Sequence, residues 1–335
     1  MSEPFSGMAG RPLPGFVDIQ VNGGFGHDFT ADPSSIWAVA ARLPECGVTA
    51  FLPTLTSGPP DTAVRALEVL ASGPPAGWRG ATPIGLHVEG PMLSHHRRGT
   101  HPPEALRSPS LEYVETVLAA GAPRMVTLAP ELDGAEPVVR RLVDAGCVVA
   151  IGHSDATAAE ANRAFEWGIS HATHLFNGMS GLGHRDPGVA AAVLDHDSVT
   201  AGLIADGVHL SPESMRLAFR LLGSERLALV TDSISAMGAG DGVHRIGSIA
   251  VEVTGVEVRN AEGRLAGSAA TFDHVARTMR EATGCSWEEL AAMTSATPAR
   301  IAGHRRHPAD LVLVDDDLRV LATSVGGEIV YRGVA

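Results

Sequence analysis

The chain has 335 residues, 44% hydrophobic and 4% aromatic, with a formal charge of -13 at pH 7 and a pI near 5.5. That length can bury one large core, while the acidity opposes attraction to nucleic acid or anionic membranes and the scarcity of rings argues against a base-stacking surface. There is no apolar run of signal-peptide or bilayer length, and the three cysteines, Cys46, Cys147 and Cys285, are odd in number and widely spaced, so buried thiols in a reducing cytoplasm are expected rather than disulfides or a thiolate metal site.

In chain order, β-rich runs alternate with helical patterns, the mark of a parallel sheet built from βα units. Strands are predicted at 16–21, 48–53, 84–88, 125–129, 148–152, 170–174, 200–204 and 227–231. Helices are predicted at 34–42, 61–70, 111–119, 136–145, 156–167, 189–194, 212–222 and 272–282. Ser34, Ser110 and the Ser211-Pro212 pair are helix-starting residues. Eight strands, each followed by a helix, specify an α/β fold of the TIM (β/α)8 type. The alternating run SIAVEVTGVEV lies in a stretch, about 242–267, that suits a β-hairpin flap inserted after the eighth strand. Near the end, ADLVLVDDD and GGEIVYRG are two short strands with too little material for a sheet of their own. The barrel is therefore assigned to 12–300 and a short β segment to 301–335. No fixed-period repeat or low-complexity linker interrupts the chain.

Barrel enzymes place their chemistry at the C-terminal ends of the strands. Here the first strand ends in Gln20 and Asn22, the third in His87 and Glu89, the fourth in Glu131, and the fifth in His153, Ser154 and Asp155. The sixth ends in His174 and Asn177, the seventh in Asp206 and His209, the eighth in Asp232. Among 15 histidines any single one means little. Seven strands delivering such groups to one end describe a catalytic mouth.

The runs PGFVDIQVNGG, LHVEGP, RRGTHPP, LAPE, IGHSDA, THLFNGM, RDPG, DGVHL, LVTDSISAMG and LAGSAAT span about 14–271 in the order found in N-acetylglucosamine-6-phosphate deacetylases. The chain resembles that family of the amidohydrolase superfamily, and ADLVLVD echoes the superfamily's closing strands. The resemblance implies hydrolysis of N-acetylglucosamine 6-phosphate to glucosamine 6-phosphate and acetate by a metal-activated water. Glu89, His153 and His174 match the family's metal ligands, three protein donors being the complement of a catalytic zinc site. Asp232 matches the Asp that takes the water's proton and returns it to the leaving nitrogen, and His101 the His that polarises the carbonyl.

Many amidohydrolases carry His-x-His on the first strand to support a second metal. Gln20 and Asn22 stand there instead, and neutral amides bind such ions weakly, so one divalent ion per chain is expected, Zn2+ first, with Fe2+ or another ion as alternatives. Arg185 and His209 match the family's phosphate contacts, Asn177 and Gly178 could add donors, and the resemblance implies a homodimer that completes this pocket. His87 and His171 are assigned to packing or support, His184 and His244 to exposed loops.

Two alternatives stay open: another acetylated amino sugar, such as the N-acetylgalactosamine 6-phosphate isomer, or a relative that binds sugar phosphate without turnover. Family members usually precede the barrel with several strands that pair with the closing ones into a small β-sandwich. This chain enters the barrel almost at once, so it is either truncated or covers the closing edges differently, and those edges are expected to be unpaired.

Overall fold

A computed structural model describes residues 4–333. The alternation in the sequence is realised as eight parallel strands, Phe16–Val21, Val48–Leu55, His87–Glu89, Met125–Leu128, Val148–Ile151, Ile169–Ala172, Thr200–Ile204 and Leu227–Val230, each bonded to the next. The third begins later than predicted because Thr82–Pro83 pairs separately with Ala50 and Phe51. The first strand is irregular, its register against the second shifting after Phe16 and again between Asp18 and Val21. Asp18 bonds Thr231, while Gln20 and Asn22 meet Glu89 and Asp232 at the barrel mouth. Val17 and Ile19 pack with Ala299 and Ala302.

Helix starts follow the capping chemistry. Ser110 and Ser211 accept hydrogen bonds from Tyr113 N and Ser214 N. Ser34 does not cap: Asp32 caps a 3-10 turn, Pro33–Ser35, and the α-helix follows as Ile36–Arg42. The predicted 212–222 helix runs on to Arg226 across a break at Gly223. Sequence patterning missed Trp287–Ala291 and Thr297–Ile301, two short helices joined by a π turn, although Ser286 and Glu289 form a full capping box there. No helix among the described residues is long and apolar enough to cross a membrane. All three cysteines are free and buried.

The barrel closes between its first and eighth strands with less than a full ladder. Val21 and Ser233 form a single bridge, with Asn22 N donating to Ser233 O at 2.8 Å and Asp232 N to Gln20 O at 3.0 Å. Below that bridge a side chain does the joining: Asp18, 1% exposed, accepts from Thr231 Oγ1 at 2.6 Å and Thr231 N at 3.3 Å. Burial pushes the Asp18 carboxyl up to about 7, against the hydrogen bonds from Thr231 and Gln20 that favour its charged form. From the ordinary carboxylate range up to about 7 the folded state keeps this proton and the unfolded chain does not, so the group removes stability as pH rises. Asp18→Asn retains the carbonyl acceptor without a charge. Its stability relative to the parent should therefore rise by about 2–3 kcal/mol from roughly pH 5 to pH 8; denaturant curves at both pH values check this, and a constant difference refutes it.

The closing edges are paired, correcting the expectation from sequence. Arg11–Pro14 lies antiparallel to Leu311–Val314, which continues through Val320–Val325 to Glu328–Arg332. The short closing strands thus find a partner ahead of the barrel, and Leu311–Val314 is internal to a four-stranded sheet. Phe5 packs with Leu313 and Ala322 beneath it. Pro12 and Pro14 sit in the outermost strand, the position where a residue without an N–H is tolerated and further pairing is discouraged. The flap has one strand more than a hairpin: Gly242–Ile246, Ile249–Thr254 and Glu257–Asn260 form a three-stranded antiparallel sheet with its own small cluster around Ile246, Val251, Val253 and Val258.

Candidate active site

Four strand ends bring four buried polar residues together. Glu89 closes the third strand, His153 and His174 follow the fifth and sixth, and Asp232 follows the eighth. His153, His174 and Asp232 all have positive φ, 48°, 33° and 48°. Such backbone costs of order 1–3 kcal/mol per residue and persists where the surroundings impose it. The result is convergence: Glu89 Oε1 lies 2.9 Å from His174 Nε2 and 3.2 Å from His153 Nε2, and the two Nε2 atoms are 3.0 Å apart.

Neighbours fix each ring. His153 Nδ1 donates to Arg97 O at 2.8 Å, leaving Nε2 as the lone-pair nitrogen facing Glu89. Gly178, at φ +58°, lies so close that an added Cβ would stand 2.9 Å from His153 Nδ1. His101 has the opposite tautomer. The Ser57 backbone N–H, which can only donate, reaches His101 Nδ1 at 3.1 Å, so in the neutral ring the proton sits on Nε2. Burial, then the nearby His153, pushes His101 down to about 3 and keeps that ring neutral.

Asp232 Oδ1 accepts from Asn22 Nδ2 at 2.7 Å and Gln20 Nε2 at 3.1 Å, and the same Gln20 amide lies 3.4 Å from both oxygens of Glu89. Burial, then the charge of Glu89, raises the Asp232 carboxyl to about 6. Burial alone would also raise Glu89, but its close contacts with the His153 and His174 rings outweigh it and hold Glu89 well below its usual value. Conversely, burial would lower His174, and its bond to Glu89 raises it instead. The cluster attracts positive charge.

The four residues open into a cleft that is also lined by Asn22, His101, Asn177, Gly178 and His209. His209 Nδ1 donates to Asp206 Oδ2 at 2.8 Å, which directs its other nitrogen away from that carboxylate. Ile246 and Leu265, from the flap region, complete one wall. Nothing in their spacing announced this, since the flap's landing place is a tertiary fact. Arg185 is not brought in. It lies on the exposed 181–187 stretch and is absent from the residues lining this cleft. The chain has no lysine, so its 25 Lys-or-Arg cations are all arginines, and none lines the cleft.

His87 is buried between Thr54 Oγ1 and Thr127 Oγ1, at 3.3 and 2.7 Å, and His171 bonds Thr200 Oγ1 at 2.8 Å, both supporting roles as expected. His184 is exposed, whereas His244 lies in the flap's first strand and bonds Gly240 O at 2.8 Å.

The amidohydrolase family model matches residues 12–330. The human N-acetylglucosamine-6-phosphate deacetylase is 40% identical over 97% of this chain and 85% of its own length, and that of Bacillus subtilis 38% over 98% and 88%. The chain belongs to the N-acetylglucosamine-6-phosphate deacetylases. A solved structure of the Mycobacterium smegmatis deacetylase, a mutant in complex with N-acetyl-D-glucosamine 6-phosphate, matches with a TM-score of 0.90 at 37% identity, covering 96% of this chain and 87% of that one.

Amidohydrolases use a divalent metal, and the donor set of this deacetylase-family chain fits one. Metal–donor bonds of about 2.0–2.1 Å in tetrahedral array place donors roughly 3.3 Å apart; the Glu89, His153 and His174 atoms stand 2.9–3.2 Å apart. Glu89, His101 and His153 also offer atoms within 4.8 Å of one another. We favour the set with His174, because Ser57 occupies the lone pair of His101 Nδ1 and the proton occupies Nε2.

Proposed function

We propose that this deacetylase-family chain hydrolyses the acetamido group of N-acetylglucosamine 6-phosphate, giving glucosamine 6-phosphate and acetate, with one divalent ion, zinc by preference, on Glu89, His153 and His174. The observation that carries the assignment is the convergence of those three donor atoms within 3.2 Å, linked by Gln20 to a carboxylate raised to about 6. A divalent ion held by Glu89, His153 and His174 would supply polarisation of the amide carbonyl and would bring the acidity of water toward neutral pH. Asp232 accepts the proton of the attacking water and returns it to the amide nitrogen as the carbon–nitrogen bond breaks, a departure that fails without protonation. His101 presents Nε2–H to the carbonyl oxygen, where negative charge develops.

The single-ion stoichiometry is supported by Gln20 and Asn22, whose amide NH2 groups both point at Asp232 and so act there as donors rather than ligands. Free, buried Cys46, Cys147 and Cys285 suit a reducing compartment such as the cytoplasm.

A phosphorylated substrate needs a cation, and the cleft lining has no arginine of its own. We therefore propose a homodimer in which Arg185, exposed on its own copy, serves the partner's cleft together with that cleft's His209, Asn177 and Gly178. Losing a charge-assisted contact of about 1.5–3 kcal/mol should raise the KM of Arg185→Ala for the phosphorylated sugar roughly 10–100-fold with kcat nearly unchanged. Unphosphorylated N-acetylglucosamine should be unaffected, and an equal loss on both sugars would refute the role.

The function itself is tested by acetate release from N-acetylglucosamine 6-phosphate with zinc-reconstituted protein. Binding without acetate release overturns the assignment. A higher kcat/KM for the N-acetylgalactosamine isomer overturns the choice of sugar.

A further inference from the structure

Glu131 follows the fourth barrel strand and is not among the residues lining the cleft, yet both of its carboxylate oxygens are committed to the two residues after His153. Oε1 accepts from Asp155 N at 2.6 Å and Oε2 from Ser154 Oγ at 2.7 Å. Asp155 Oδ1 in turn accepts from Arg97 Nε at 2.7 Å, and the Arg97 carbonyl accepts from His153 Nδ1 at 2.8 Å. The bonds form a closed circuit from the backbone after His153, through two charged side chains, back to the His153 ring.

His153 needs such a circuit. Its φ of +48° lies in the left-handed region that residues with a Cβ rarely adopt, so the turn must be imposed from outside. Backbone bonds grip part of it, with Ser94 N donating to His153 O at 2.9 Å and Ser154 N to Gly178 O at 3.1 Å. They do not set the ring. Ring orientation depends on Arg97 O, and the Arg97 side chain is tied to Asp155, whose amide is held by Glu131. The Arg97–Asp155 pair is 43% and 41% exposed, too solvated to hold the loop unaided. The half-buried Glu131 is the fixed point.

We propose that Glu131 is a positioning residue for the metal centre, holding His153 in its ligating orientation through the Ser154–Asp155 backbone and the Arg97 carbonyl. This rests on His153 being a metal ligand. Outer partners of ligands commonly set metal affinity by about 10–100-fold, whereas a residue that merely stabilised the loop would change folding and leave metal affinity alone.

The test is titration of metal-free protein with zinc ions against a chelating indicator, with denaturant unfolding of the metal-free protein alongside. Glu131→Ala should weaken zinc binding about 10–100-fold. Glu131→Gln keeps an acceptor for Asp155 N and should fall between it and the parent, with metal-free stability near the parent's. Zinc affinity of Glu131→Ala within about twofold of the parent overturns the proposal; should that variant not fold, Glu131→Gln within the same limit does so. His153→Ala, run in parallel, should abolish tight binding. If it binds zinc like the parent, the ligand assignment fails; if it loses zinc while the Glu131 variants do not, the clamp alone fails.

Discussion

Asp232→Asn should lower kcat by roughly 10²–10⁴-fold, the range expected for removing a proton carrier, while zinc content and the unfolding midpoint stay near those of the parent. The substitution is matched to the site. Asp232 Oδ1 accepts from both Asn22 Nδ2 and Gln20 Nε2, and the asparagine carbonyl keeps that acceptor, so the amides remain satisfied and only the ability to take and return a proton is lost. Metal analysis beside steady-state kinetics decides it, and near-parental turnover would remove Asp232 from the chemistry. A pH profile gives a second check. The carboxylate is the working form and burial beside Glu89 raises the group to about 6. kcat/KM should therefore fall as pH drops through about 6, and a bound divalent cation, by favouring the carboxylate, moves that limb lower.

Replacing His101 by Ala should cost about 10²–10³ in kcat, the loss seen when one donor to a developing oxyanion is removed, and should leave zinc affinity within a few-fold of the parent. Retention of zinc is the discriminating half. With Ser57 N–H on Nδ1, His101 has no free lone pair, so a variant that loses both zinc and activity would identify His101 as a ligand instead. Because burial pushes its ring down to about 3, His101 should add no limb near the usual histidine range, and the substitution should scale the pH profile without reshaping it.

The barrel was legible because its strands are short apolar runs at regular spacing, and the mouth because Glu89, His153, His174 and Asp232 each stand where such a run stops. What escaped depended on partners distant in sequence. Arg11–Pro14 carries two prolines in four residues and looks like a loop; it is a strand because Leu311–Val314 accepts it. The pieces Trp287–Ala291 and Thr297–Ile301 are too short for a helical period to show. The protonation of His101 is decided by a backbone amide 44 residues away, and Glu131 was visible as a strand-end acid without any hint that it grips the residues after His153. Arg185 was identified from its block alone, and no block can say whose cleft an exposed arginine serves.

The seam between the first and eighth strands has a consequence for how this enzyme can change. Asp18 and Thr231 fasten it, and directly above them Gln20, Asn22 and Asp232 share the bonds that hold the proposed proton carrier. Wherever the barrel breathes at this junction, the carboxylate parts from the amides that aim it. With the role proposed for Asp232, rigidity and turnover would be set by one row of side chains, and evolution could not loosen the barrel there without also retuning its acid–base chemistry.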